Sequence, residues 1–144
     1  MSFKFRLETS LNLADQELKI AQGLLAQETR ILLNVSELRD SQSRLLTRAL
    51  EGQKRACLEE PVNISIWQKY AGEQNEKLLK LQKEVEKQQK IVADYREKLR
   101  ECRIKVEKYK RLKGKKMKLY SILELKKEQK AIDEIAQSRT GWRR

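Results

Sequence analysis

The residues with the most chemical potential in this chain are two cysteines, two pairs of adjacent acids and one dense run of lysine and arginine. Cys57 and Cys102 are the only thiols, and there is no histidine. Nucleophilic triads built on histidine are therefore excluded, and two thiols alone cannot close a tetrahedral zinc site. Glu59-Glu60 and Asp133-Glu134 are adjacent carboxylates of the kind used in acid–base catalysis. On a helix, neighbours in sequence point apart, and water-facing carboxylates have no burial to shift their pKa values. No Gly-x-x-x-x-Gly-Lys-Ser/Thr loop exists to cradle phosphates. The expectation is a protein with no catalytic residue, no cofactor, no metal and no small-molecule substrate.

The basic run is different. From Arg103 to Lys118, nine Lys/Arg face the single Glu107. The patch comprises Lys108, Lys110, Arg111, Lys113, Lys115, Lys116 and Lys118. Residues 1–57 carry nine basic and seven acidic side chains, and the remainder 24 against 14, so +2 and +10 make up the total of +12. Such a cluster suits an acidic protein partner, and it also suits phosphate backbones or an anionic membrane surface. A solvated face with no partner is the plain alternative. Gly114 within it weakens a helix by ~1 kcal/mol relative to Ala.

These side chains must be carried by helices. Leu7, Leu11, Ala14, Leu18, Ala21, Leu25, Leu32 and Val35 follow at steps of four and three, broken only at Glu28. Trp67, Ala71, Leu78, Leu81, Val85, Val92, Tyr95, Leu99, Cys102, Val106 and Tyr109 repeat the rhythm, with gaps at Gln74 and Gln88. An apolar stripe every 3.5 residues is what two helices need to bury a seam between them. Composition agrees: 38% charged, 6% aromatic, five glycines and one proline. A charged disordered chain would not keep a phased stripe over this length.

Pro61 marks the one lapse in the pattern and should end the first helix near Cys57 to Glu59. Ser65 with Gln68 reads as a capping box, and Asn63 is an equally good N-cap. The fold expected is all-α, a long two-helix antiparallel coiled-coil hairpin in one domain, residues 1–144. Helix one covers about 4–58, the turn 59–64, helix two 65–139, and a disordered tail 140–144. The alternative is one kinked helix that dimerises in parallel. A hairpin satisfies both stripes internally, so the free protein is expected to be a monomer.

Pairing about residue 61 makes facing residues sum to about 122, with helices of ~80 and ~110 Å. Cys57 and Cys102 then lie ~60 Å apart along the seam, beyond disulfide reach. From about Leu119 the second helix outruns the first while still carrying Leu119, Ile122, Leu125, Ile132, Ile135 and Ala136. An apolar stripe without an internal partner is a docking face. More aromatics and leucines gather at the turn end than one seam needs, Leu45, Trp67 and Tyr70 among them, which suggests a second docking surface there. No export signal opens the chain and no apolar run could span a bilayer, so a cytoplasmic protein is expected.

One segment carries a specific resemblance. Glu128-Gln129-Lys130-Ala131-Ile132-Asp133-Glu134-Ile135-Ala136, followed by Gln137-Ser138-Arg139, resembles the C-terminal signature of the flagellar export protein FliJ family. Phe5-Arg6-Leu7, Leu11, Ala21-Gln22 and Trp67-Gln68-Lys69-Tyr70 are similar to the openings of its two helices. The turn is shorter than in some members and lacks a glycine-containing loop. The resemblance implies a soluble component of the flagellar type III export apparatus, similar to the stalk subunits of rotary ATPases. It would be recruited to the cytoplasmic face of the inner membrane at the flagellar base.

Its implied partners are the hexameric export ATPase, the cytoplasmic part of the membrane export gate, and export chaperones. On this resemblance the ring contact would fall on Leu119, Ile122, Leu125, Gln129, Ile132, Asp133, Glu134 and Ala136. The gate would meet Leu45, Trp67 and Tyr70. The corresponding stalk of a virulence secretion system has the same architecture. A nucleic-acid-binding coiled coil using residues 103–118, or a purely structural oligomeriser, are the readings from other classes. Nucleic acid is not the expected partner.

Overall fold

The structure is a computed structural model, and it describes residues 2–142, with side chains to Arg139. Among these residues the order of elements is helix α1 (Glu8–Glu59), a 3-10 turn (Pro61–Asn63) and helix α2 (Ile64–Trp142). It is a helical hairpin with the second helix the longer, as the two stripes require. The chain divides into two compact units, Ile20–Arg100 and Met1–Lys19 with Glu101–Arg144.

The unit Ile20–Arg100 holds the turn and an arm of each helix. Apart from Leu99, its seam is made of small and β-branched residues: Ala21, Ala49, Ala56, Ala71, Val85, Val92 and Leu99 are buried. Alanine lets helix backbones approach closely, and β-branched side chains have few rotamers to lose when packed. Two polar layers interrupt this seam. Gln42 donates from Nε2 to the carbonyl of Gln74 at 3.0 Å and to its Oε1 at 2.6 Å, with both residues buried. Gln88 likewise donates to the carbonyl of Glu28 at 3.1 Å and to its Oε2 at 2.5 Å. The breaks in the apolar rhythm at Glu28, Gln74 and Gln88 are thus filled by paired polar groups, not gaps in the coil.

Both polar layers pair residues whose numbers sum to 116. The expected sum of about 122 is corrected by six residues, because the register turns on the end of α1 and not on the proline. Glu59 closes α1, and the 3-10 turn delivers the chain directly into α2 at Ile64. Ser65 therefore lies inside α2 and does not cap it. Asn63 stands just before the helix, but its Nδ2 donates to Glu60 Oε2 at 2.7 Å instead of capping with its oxygen.

The unit formed by residues 2–19 and 101–142 has its own small core, in which Leu11, Ala14 and Val106 pack with Leu18 and Tyr109. Ion pairs flank it: Lys105 lies 3.4 Å from Glu17, and Lys113 reaches both carboxylate oxygens of Glu8 at 2.9 and 3.0 Å. Helix α1 begins at Glu8, four residues later than expected. Residues 2–5 belong to no regular element, and residues 6 and 7 form a turn. α2 continues past the expected stop at 139 to Trp142; Arg143 and Arg144 of the expected tail lie outside the described residues.

Candidate functional site

Beyond Lys113 the second helix leaves α1 behind. Leu119, Ile122, Leu125 and Ile132 are all exposed there, at 54%, 47%, 64% and 60%, with Leu123 and Ile135 similarly open. Side chains at i, i+3, i+4 and i+7 share a helix face, so Ile122, Leu125, Gln129, Ile132 and Ala136 form one row. Gln129 donates to Asp133 Oδ1 at 3.2 Å, one turn along, and Glu134 is exposed beside them. These residues are brought together by nothing more than helical spacing, which is why the sequence displayed them.

Leu119 is the exception, because it has a neighbour the spacing concealed. The N-terminal segment lies against α2, with the Phe3 and Tyr120 rings 5.5 Å apart and tilted by 51°. Phe3, Phe5 and Leu7 on one side and Leu112, Leu119 and Leu123 on the other line a cleft of about 580 Å³. The expectation that α2 is unpaired from Leu119 is corrected: the segment covers part of the helix as far as Leu123. Phe3 and Phe5 alternate with Lys4 and Arg6. That period of two was the available signal that the helix starts later, but four residues are too few to separate a non-helical segment from a helix start.

The basic patch divides by role. Lys113 is committed to Glu8 and Lys116 lines the cleft. Lys108, Lys110, Arg111, Lys115 and Lys118 are exposed, and none of them makes an ion pair among the described residues.

At the turn end, Trp67 is half-buried against Gly52 and meets Tyr70 edge-on at 6.1 Å and 78°. A Cβ at position 52 would stand 2.6 and 2.7 Å from Trp67 ring carbons, so the glycine makes a notch for the indole. Arg48, Glu51, Arg55 and Glu59 surround the ring in a shallow cleft of about 380 Å³. Trp67 is therefore a seam residue with one edge showing, whereas Leu45 and Tyr70 are 40% and 39% exposed.

Among the described residues no group of three His, Cys, Asp or Glu side chains converges on a possible metal position. Cys57 is exposed, Cys102 is half-buried, and both are free thiols. Glu60 accepts from Asn63 and Asp133 accepts from Gln129, so one acid of each adjacent pair is engaged locally on the surface.

The family model described as "Flagellar FliJ protein" matches residues 3–144, essentially the whole chain. The chain belongs to the FliJ family. Membership makes it a component of flagellar type III protein export, from a family of non-enzymatic helical coiled coils. Neither the curated proteins nor the solved structures returned a match. No helix among the described residues is long and apolar enough to cross a membrane.

Proposed function

We propose that this FliJ-family chain is the stalk-like coiled coil of the flagellar export apparatus, and that the C-terminal part of α2 engages the hexameric export ATPase and promotes its assembly. The observation that carries the reading is the exposed row Ile122, Leu125 and Ile132 on a helix that continues well past the start of α1. Burying a leucine or isoleucine contributes about 1.5–3 kcal/mol. Three to five such side chains are enough for a specific complex after association costs of several kcal/mol are met. Gln129, Asp133 and Glu134 border the row and would set register within the ring. The exposed lysines upstream would raise the association rate with acidic loops.

At the turn end, the open faces of Leu45 and Tyr70 and the exposed edge of Trp67 are the surface we assign to the cytoplasmic part of the export gate. Export chaperones are the third class of partner implied by the family. Contact with the gate would hold the protein, which has no membrane-spanning helix of its own among the described residues, at the inner membrane.

The test uses the full chain. Ile122→Glu, Leu125→Glu and Ile132→Glu together replace exposed side chains, so helicity should be unchanged. Stimulation of ATPase assembly and turnover should be lost. Full stimulation by a folded triple variant would overturn the assignment of this helix to the ring.

A further inference from the structure

The cations of α2 and its apolar row share one register. Lys108, Arg111, Lys115 and Lys118 follow at steps of three, four and three, and Ile122, Leu125, Gln129 and Ile132 continue at four, three, four and three. At about 100° per residue the first four positions centre roughly 180° from Val106, Tyr109 and Lys113, which face α1. All eight are exposed, and none of the four cations has an ion-pair partner among the described residues. The helix therefore carries a second heptad row, back to back with the one that packs against α1. Its first ~15 Å is cationic and its continuation is apolar.

We propose that this row is a coiled-coil docking surface for a partner helix whose own heptad row is divided in the same way, carboxylates facing Lys108 to Lys118 and apolar side chains facing Ile122 to Ile132. The inference rests on the reading of the C-terminal helix as the ring contact and deepens it by naming the chemistry of what the helix meets. Charge selects the occupant. A second copy pairing in parallel register would set the four cations against themselves, which like charges resist. Carboxylates at the same spacing would face each cation in turn and would also fix direction, since reversing the partner sets its acids against Ile122 and Leu125. Apolar burial then holds the complex, while the charged half decides which helix is accepted and how it is aligned.

Three synthetic helices of about four heptads provide the probe. One has a row of four Glu followed by four Leu, the second has the same residues with the row scrambled, and the third has Lys in place of Glu. Binding to the full-length chain is measured by titration calorimetry at low and moderate salt. The Glu–Leu helix should bind at least tenfold more tightly than the scrambled one, and the Lys–Leu helix should not bind. The Lys115→Glu, Lys118→Glu variant, with its helicity checked by circular dichroism, leaves two cations and two carboxylates in the row and should abolish the preference between the Glu–Leu and Lys–Leu helices. Equal binding of ordered and scrambled helices would overturn the proposal. So would a charge-reversal variant that leaves the preference unchanged, or one that loses only binding to phosphatidylglycerol vesicles. The ATPase separates the two readings. If stimulation is abolished by Leu125→Glu but unaffected by Lys115→Glu, Lys118→Glu, the ring assignment stands and the divided row falls. If the wild-type chain does not bind the ATPase while the peptide preference holds, the ring assignment falls and the row stands.

Discussion

Replacing Gln42 with leucine places a side chain of similar volume in the seam of Ile20–Arg100 and removes the donor that satisfies Gln74. The two lost bonds, at 3.0 and 2.6 Å, contribute about 0.5–1.5 kcal/mol each in net terms. Gln74, only 6% exposed, is left with an amide that has lost its partner, at a cost of about 1–3 kcal/mol. Burial of the new leucine offsets part of this, so the single variant should lose only about 1 kcal/mol. Adding Gln74→Leu removes the orphaned amide and buries a second leucine. The double variant should therefore exceed either single by about 2–4 kcal/mol and match or surpass the native chain. Urea denaturation followed by circular dichroism at 222 nm gives the four corners of the cycle. A double variant no more stable than the singles would refute the view that this layer is a mutually dependent buried pair. A double variant that surpasses the native chain would mean that the native glutamines, like buried polar residues in other coiled coils, are retained for register at some cost in stability.

Glycine substitutions should diverge by position. Gly114→Ala and Gly72→Ala meet nothing within 4 Å and should raise stability by about 0.5–1 kcal/mol, whereas Gly52→Ala drives a methyl into Trp67 and should lower it by about 1–2 kcal/mol despite the better helix propensity. Thermal melts of the three variants decide this, and a stabilised Gly52→Ala would show that the indole is not seated in the notch. Phe3→Ala removes the ring packed on Tyr120 and should cost up to about 1.5 kcal/mol of local stability, seen as faster exchange of backbone amides in residues 2–7 with the seam from Ala71 to Leu99 unchanged. Lys113→Gln breaks a pair whose partners are 33% and 44% exposed and should change stability by less than about 1 kcal/mol, with no effect on helicity.

The stripe from Leu7 to Val35 and the one from Trp67 to Tyr109 were legible because helical pairing writes itself into spacing, and Pro61 placed the turn between them. The register was not legible. Pairing about the proline is a guess about where the turn pivots, and it is the two polar layers that show the pivot lies earlier. Glu28, Gln74 and Gln88 looked like defects because a one-dimensional stripe shows which positions face the seam but not which residues meet across it. Phe3 and Phe5 were missed as a strap for a related reason: the residues they lie against, Leu112, Leu119, Tyr120 and Leu123 of α2, stand at the far end of the sequence. Gly52 gave no sign at all, since its role depends on an indole fifteen positions away in sequence. The C-terminal row, by contrast, was visible in full, because a helix face needs no tertiary partner to be read. The division of that row into cationic and apolar halves was equally open to inspection at steps of three and four.

Hydrogen exchange of the full-length chain, alone and with the export ATPase under conditions that favour its hexamer, tests the central claim most directly. Backbone amides from Leu119 to Ala136 should exchange markedly more slowly in the complex, while those from Leu78 to Leu99 in the intramolecular seam stay unchanged. Binding that leaves Leu119 to Ala136 as labile as in the free protein would contradict the assignment of this helix as the element that meets the ring.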